Sequence, residues 1–93
     1  MFEIKENGST ILLQGRFDAS QTEKAREVLS NLSSDAVVDF SHLEYISSAG
    51  LGVLLGAQKR LAESGQRLKL TNMNHHIREI FRIAGFDHIF EIE

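Results

Sequence analysis

Apolar and polar residues alternate along the first part of the chain and then shift to a helical spacing. "FEIK" and "TILLQGRF" read as short strands, about Phe2 to Lys5 and Thr10 to Gly15, split by "ENGS". Asn-Gly takes positive φ at little cost, so this break predicts a hairpin. "DASQTEKAREVLSNL" predicts a helix. Its Ser20 and Glu23 stand three apart, as in a capping box. Ala25, Val28, Leu29 and Leu32 recur at i, i+3, i+4, i+7 and form its apolar face. "SSD" closes that helix.

"AVVDF", Ala36 to Phe40, is short, apolar and rich in β-branched residues, as in a strand covered on both faces. "SHLEYIS" reads as a loop. A second helix is expected from about Ser48 to Ser64, with Leu51, Leu54, Leu55 and Leu61 at helical spacing and Gly65 as its stop. "RLKLTNM" predicts a strand. Asn74 caps a third helix whose face is Ile77, Ile80, Phe81 and Ala84, ended by Gly85, and "HIFEI" is a last short strand. The order β-β-α-β-α-β-α-β predicts an α/β layer with a mostly parallel or mixed sheet.

Composition adds constraints. The 93 residues suit one domain, and a hydrophobic fraction of 42% suffices for a core without disulfides or metal. There is no cysteine, which excludes a disulfide framework, a thiolate nucleophile and a cysteine zinc site. No proline, repeat or low-complexity run divides the chain. "MFEIKENGST" has no basic region followed by an apolar run, and no segment reaches the roughly 20 apolar residues of a membrane span. A cytoplasmic protein without membrane insertion is the expectation. The net charge of −3, with acids and bases mixed, speaks against a nucleic-acid partner.

The chemistry concentrates in "YISSAGLGVLLGAQKRL", Tyr45 to Leu61, where a serine pair and glycines open a helix. Gly50, Gly52 and Gly56 give G-x-G-x-x-x-G, one residue longer than the dinucleotide fingerprint, after a seven- or eight-residue loop rather than a tight turn. Gly52 and Gly56 are better read as a small face that lets the helix approach the sheet. A hydrolase elbow needs glycine two residues before its serine, and Ile46 stands there. His42 lies six residues from Ser48 and makes no triad; His75 and His76 point to different faces of a helix, so no metal site is expected. A phosphate on Ser48, by contrast, would meet the unpartnered N–H groups and the positive end of a helix dipole. Ser48 as a plain N-cap is the competing reading.

"VVDFSHLEYISSAGLGVLLGAQKRL" resembles the central segment of STAS domains, in particular the bacterial anti-sigma factor antagonists. The shared pattern is a buried strand ending in Asp, a loop, then D/S-S-[ASGT]-G-L-G and a leucine-rich helix. "LLQGRFDAS" is similar to the family's G-x-[LF]-D-A turn. "GQRLKLTNMNHHIREIFRIAGFDHIFEI", Gly65 to Ile92, is similar to its closing strand, third helix and final strand. The resemblance implies a single STAS-like α/β domain with a mixed sheet of four to five strands and three to four helices. It implies a partner switch rather than an enzyme, with no cofactor of its own. The unphosphorylated chain binds a serine kinase that doubles as an anti-sigma factor, and the sigma factor is freed. The kinase then uses its ATP to phosphorylate Ser48, binding ends, and a PP2C-type phosphatase resets the chain.

Many antagonists carry Asp directly before the acceptor, where this chain has Ser47, so Ser47 stays the second choice. The expected docking rim comprises Asp18, Tyr45, Ser47, Ser48, Ala49, Gly50 and Leu51, with Phe17 as further apolar contact. Asp39, at a strand end, suits a structural role toward loop N–H groups. The runner-up reading is a non-phosphorylated STAS subunit of an ABC-type lipid-transport complex.

Overall fold

A computed structural model describes all residues, Met1–Glu93. The hairpin forms between β1 (Phe2–Asn7) and β2 (Thr10–Phe17). Asn7 pairs with Thr10, so the turn residues are Gly8 and Ser9, with Gly8 at φ 64°. A 3-10 turn, Ala19–Gln21, then leads into α1 (Thr22–Leu29). The capping box does not form. Asp18 caps this turn by accepting the Ser20 N–H, and α1 itself starts behind Gln21 without a side-chain cap. The 3-10 turn displaces the helix start, so Ser20 and Glu23 no longer stand at N-cap and N3.

The main correction concerns β3 (Ala36–Ile46), which is continuous through the segment read as a loop. Its second half pairs with the end of β2: Gln14 with His42, Arg16 with Tyr45, Phe17 with Ile46. Register shifts between Leu12 and Gln14 and between Gly15 and Arg16 admit extra β3 residues opposite β2. They leave Ser41 and His42 both exposed, which breaks the alternation expected of a strand. Gly15, next to the second shift, has φ 89°, and a Cβ there would stand 2.0 Å from the Met1 carbonyl oxygen on the β1 side, so glycine is required at this position.

From β3 the chain passes through Ser47 alone into α2 (Ser48–Ala62), then β4 (Leu68–Thr71), α3 (His75–Ile83), a 3-10 turn at Phe86–His88 and β5 (Glu91–Ile92). The expected last strand thus shortens to two residues. Asn74 caps α3 as expected, accepting the Ile77 N–H at 2.8 Å, and Gly85 follows its end with φ 78°. Ile77 and Phe81 of the expected α3 face are buried; Ile80 is half-buried and Ala84 is exposed.

The five strands lie in the order β1-β2-β3-β4-β5, antiparallel only between β1 and β2. Register places Ile4, Leu13, Ile11, Val38 and Leu70 on one face. All are buried, in a core that contains no polar side chain. Phe81 of α3 meets Phe40, Phe86 and Phe90 edge-on over the same face. On the other face Lys5, Leu12, Asp39 and Thr71 form a row that remains exposed or half-buried. The apolar strand residues are therefore covered on one side only, which corrects the two-sided burial expected of Ala36 to Phe40. No helix is long and apolar enough to cross a membrane.

Candidate functional site

The site lies where β2 and β3 end together. Phe17 pairs with Ile46, and the Ser47 N–H donates to the Phe17 carbonyl at 2.9 Å. The chain therefore leaves the sheet beside Asp18 and enters α2 within one residue. This tight passage replaces the seven- or eight-residue loop of the sequence reading. It contains no glycine: Gly50 already belongs to the helix, so a glycine-rich phosphate loop is absent for a different reason from the one expected.

The two serines are not equivalent. Ser47 is the N-cap; its Oγ accepts the Gly50 N–H at 3.2 Å, and its carbonyl accepts from Leu51 at 3.0 Å. Ser47 is half-buried, whereas Ser48 is the first helical residue and is exposed. N-cap duty thus falls on Ser47, not on Ser48. The N–H groups of Ser48 and Ala49 precede the first intrahelical donor and point out of the positive end of a 15-residue helix. Neither serine hydroxyl is hydrogen-bonded to a histidine or a carboxylate; the one side-chain bond of this pair is the cap from Gly50 to Ser47.

The glycines also divide differently. A Cβ on Gly50 would lie 2.9 Å from Ile46 Cγ1, 3.1 Å from the Phe17 carbonyl oxygen and 3.2 Å from Phe17 Cγ. Gly50 is therefore what lets α2 sit against the strand ends. Gly52 and Gly56 have nothing within 4 Å of such an atom and face outward, contrary to the sequence reading. They line a cavity of ≈ 400 Å³ between α1 and α2, with Leu29, Val53 and Ala57.

Of the expected docking residues, Asp18, Tyr45, Ser47, Ser48 and Ala49 reach the surface in whole or part. Gly50 is buried, Leu51 is 7% exposed and Phe17 is 0% exposed, so these three belong to the core. Asp18 is held by Ser20, whose hydroxyl and N–H donate to Oδ1 at 2.6 and 3.0 Å. Those two bonds, with the Arg16 charge nearby, keep its carboxyl below the usual range. Burial works to raise the Asp39 carboxyl, but donation from the Ser41 N–H and the Asn72 amide outweighs it and the net shift is downward. Asp39 has a structural role as expected, but it stands inside β3 rather than at a strand end, and the N–H it accepts, from Ser41 at 2.9 Å, belongs to the strand and not to a loop.

Sequence reasoning missed Arg16. Its guanidinium lies over the Tyr45 ring, 4.4 Å from the centroid, beside the same rim. The contact depends on the shifted register that sets Arg16 opposite Tyr45. The signal in the sequence was a long cation one residue before a buried Phe17, on the strand that neighbours the only tyrosine. No group of three or more His, Asp or Glu side chains is arranged to hold a metal ion.

A small two-layer α/β domain with a capped helix tip at the end of its sheet is the class that this geometry defines. The family model described as "Mlab, STAS domain" matches residues 1–91, and the chain belongs to the STAS domain family. It is 32% identical over 98 aligned positions to the anti-sigma-B factor antagonist of Listeria monocytogenes, covering 98% of this chain and 86% of that one. A 56-residue stretch is 45% identical to the putative anti-sigma factor antagonist BtrV of Bordetella bronchiseptica, covering 60% of this chain and 48% of that protein. Among solved structures, the anti-sigma factor antagonist SpoIIAA superposes in its unphosphorylated form with a TM-score of 0.70 at 22% identity, over 89% of this chain and 83% of that one. The phosphorylated Bacillus form gives 0.72 at 21% identity, over 100% and 91%. At these identities the structural likeness establishes the fold.

Proposed function

We propose that the chain is an anti-sigma factor antagonist that works by partner switching. Unphosphorylated, it binds a serine kinase that doubles as an anti-sigma factor, and the sigma factor is released. Phosphorylation of Ser48 ends binding, and a PP2C-type phosphatase restores the bound state. The chain is then a binding module and a kinase substrate, not an enzyme, and it acts in transcription regulation in the bacterial cytoplasm.

One observation carries the reading: Ser48 is exposed at the tip of α2, while its neighbour Ser47 is engaged as the cap. A phosphoryl group on Ser48 brings about −1.5 to −2 charges to a surface whose adjacent N–H groups favour an anion. The fold need not change for a partner's contact to be lost. Relatives named as antagonists, and SpoIIAA solved in both phosphorylation states, support the same reading.

The test uses the purified kinase and three forms of the chain. Wild type and Ser48→Ala are expected to bind alike, Ser48→Ala to take up no phosphate, and Ser48→Glu to bind at least about tenfold more weakly. Equal binding by Ser48→Glu would overturn the reading. A chain that takes up no phosphate and co-purifies with a permease-associated ATPase would instead be the lipid-transport subunit.

A further inference from the structure

The docking rim holds a cation that the phosphate switch does not use. Arg16 is exposed, and it takes part in none of the protein's salt bridges. The nearest carboxylate in sequence, Asp18, spends its Oδ1 on Ser20 and meets Arg16 as a nearby charge without a salt bridge. What fixes the guanidinium is the Tyr45 ring, 4.4 Å away, and Tyr45 is itself half-buried in β3. The guanidinium carbon stands over the ring, and its N–H donors make no side-chain hydrogen bond or salt bridge within the protein. Those donors form the fork that receives a carboxylate through two parallel hydrogen bonds. An arginine held this way has already lost part of the rotamer freedom that a free side chain gives up on binding.

Position gives this cation a partner. Tyr45 lies two residues before Ser47, the N-cap of α2, about 7 Å of strand rise away. Arg16 stands on the uncovered face of the sheet next to that rim, within reach of a partner that covers the strand ends. Arg16 lines neither of the two cavities, so a free small anion would gain no enclosure there. An acid carried on a docked macromolecule brings the enclosure that the open surface lacks.

We propose that Arg16, laid on Tyr45, is a specificity-determining anchor that receives an Asp or Glu carboxylate of the protein docked at the Ser48 rim. The proposal rests on the partner-switch reading and adds the chemistry that the partner must present: an acidic side chain within reach of Arg16 when the tip of α2 is covered.

Dissociation constants with the purified kinase test it, measured at several salt concentrations, with thermal melts confirming that each variant folds. Arg16→Gln is expected to bind about tenfold more weakly with a shallower salt dependence. Arg16→Lys keeps the charge without the fork and should recover only part of the loss. Tyr45→Ala removes the ring that fixes the guanidinium and should lose part of the affinity that Arg16→Gln loses. Wild-type affinity in Arg16→Gln, while Ser48→Glu still releases the kinase, overturns the anchor and leaves the switch standing. Wild-type affinity in Ser48→Glu overturns the switch, and the anchor with it. If Arg16→Gln binds normally and also lets the Ser48-phosphorylated form bind, Arg16 serves the phosphate, and the proposal is wrong.

Discussion

At position 47 the hydroxyl accepts the Gly50 N–H; one residue later the hydroxyl is exposed. Ser47→Ala should therefore cost about 0.5–2 kcal/mol of stability, the usual value of an N-cap. Ser48→Ala should change it by less than about 0.5 kcal/mol. Urea denaturation of both variants checks this, and the opposite order would mean that the cap is misassigned. The glycines give a second contrast. Gly50→Ala forces a methyl against Ile46 and Phe17 and should cost about 1–3 kcal/mol. Gly52→Ala meets nothing and should be neutral, or stabilising by up to about 1 kcal/mol, because it removes backbone freedom from the unfolded helix.

Acid provides a third residue-scale test. Asp18 and Asp39 are both held below their ordinary value of 3.8 in the folded chain. The folded state thus takes up these protons less readily than the unfolded state does. Their stabilisation is fully present above that ordinary value and is lost as pH falls through the depressed folded values. Melting temperature should fall on acidification below about pH 4, and Asp39→Asn should flatten that limb. An unchanged acid limb in the variant would remove Asp39 from this account.

Among the elements, α2 is held on two sides. Beneath it Gly50 admits the strand ends; beside it Arg60 donates to the Leu29 and Leu32 carbonyls at 2.7 and 2.8 Å, at the end of α1. Arg60→Met keeps much of the stem but leaves those carbonyls to water, and should lower stability by about 1 kcal/mol in chemical denaturation. The same elements show what a linear pattern conveys. The two-residue alternation of β2 and β4 and the Asn74 cap were legible because each depends on neighbours in sequence. The second half of β3 was not, because bulged pairing with β2 exposes Ser41 and His42 in succession. Asp18 and Ser20 are both good cap residues, and only the intervening 3-10 turn selects Asp18. Leucines at 51, 54, 55 and 61 announce a helix, but α2 packs against both sheet and α1, so its apolar spacing did not reveal where Gly52 and Gly56 point. The serine pair at a helix start was legible. Which serine caps it turns on a one-residue shift, and Arg16 on a register, both settled in three dimensions.

For the whole molecule, the helices cover one face of the sheet and leave the strand ends, with the tip of α2, at an accessible rim. Ion pairs such as Lys69 with Glu91 and Glu93 lie on the uncovered face, at 3.6 and 3.0 Å. Exposed pairs of this kind contribute little to stability and keep that face polar. The core ends at Gly50 and Leu51, so a charge added at Ser48 falls on the surface and leaves the packing beneath it in place. A switch that changes binding without refolding needs that separation.

The claim that an added dianion on one exposed hydroxyl decides whether a neighbour stays attached has a direct test. The chain is incubated with its kinase and ATP, the modified residue is located by mass spectrometry, and the kinase still bound is measured in the same sample. Phosphate on Ser48 and loss of the complex in proportion to it is the predicted result; phosphate confined to another residue, or a complex that persists when Ser48 is fully modified, would contradict it.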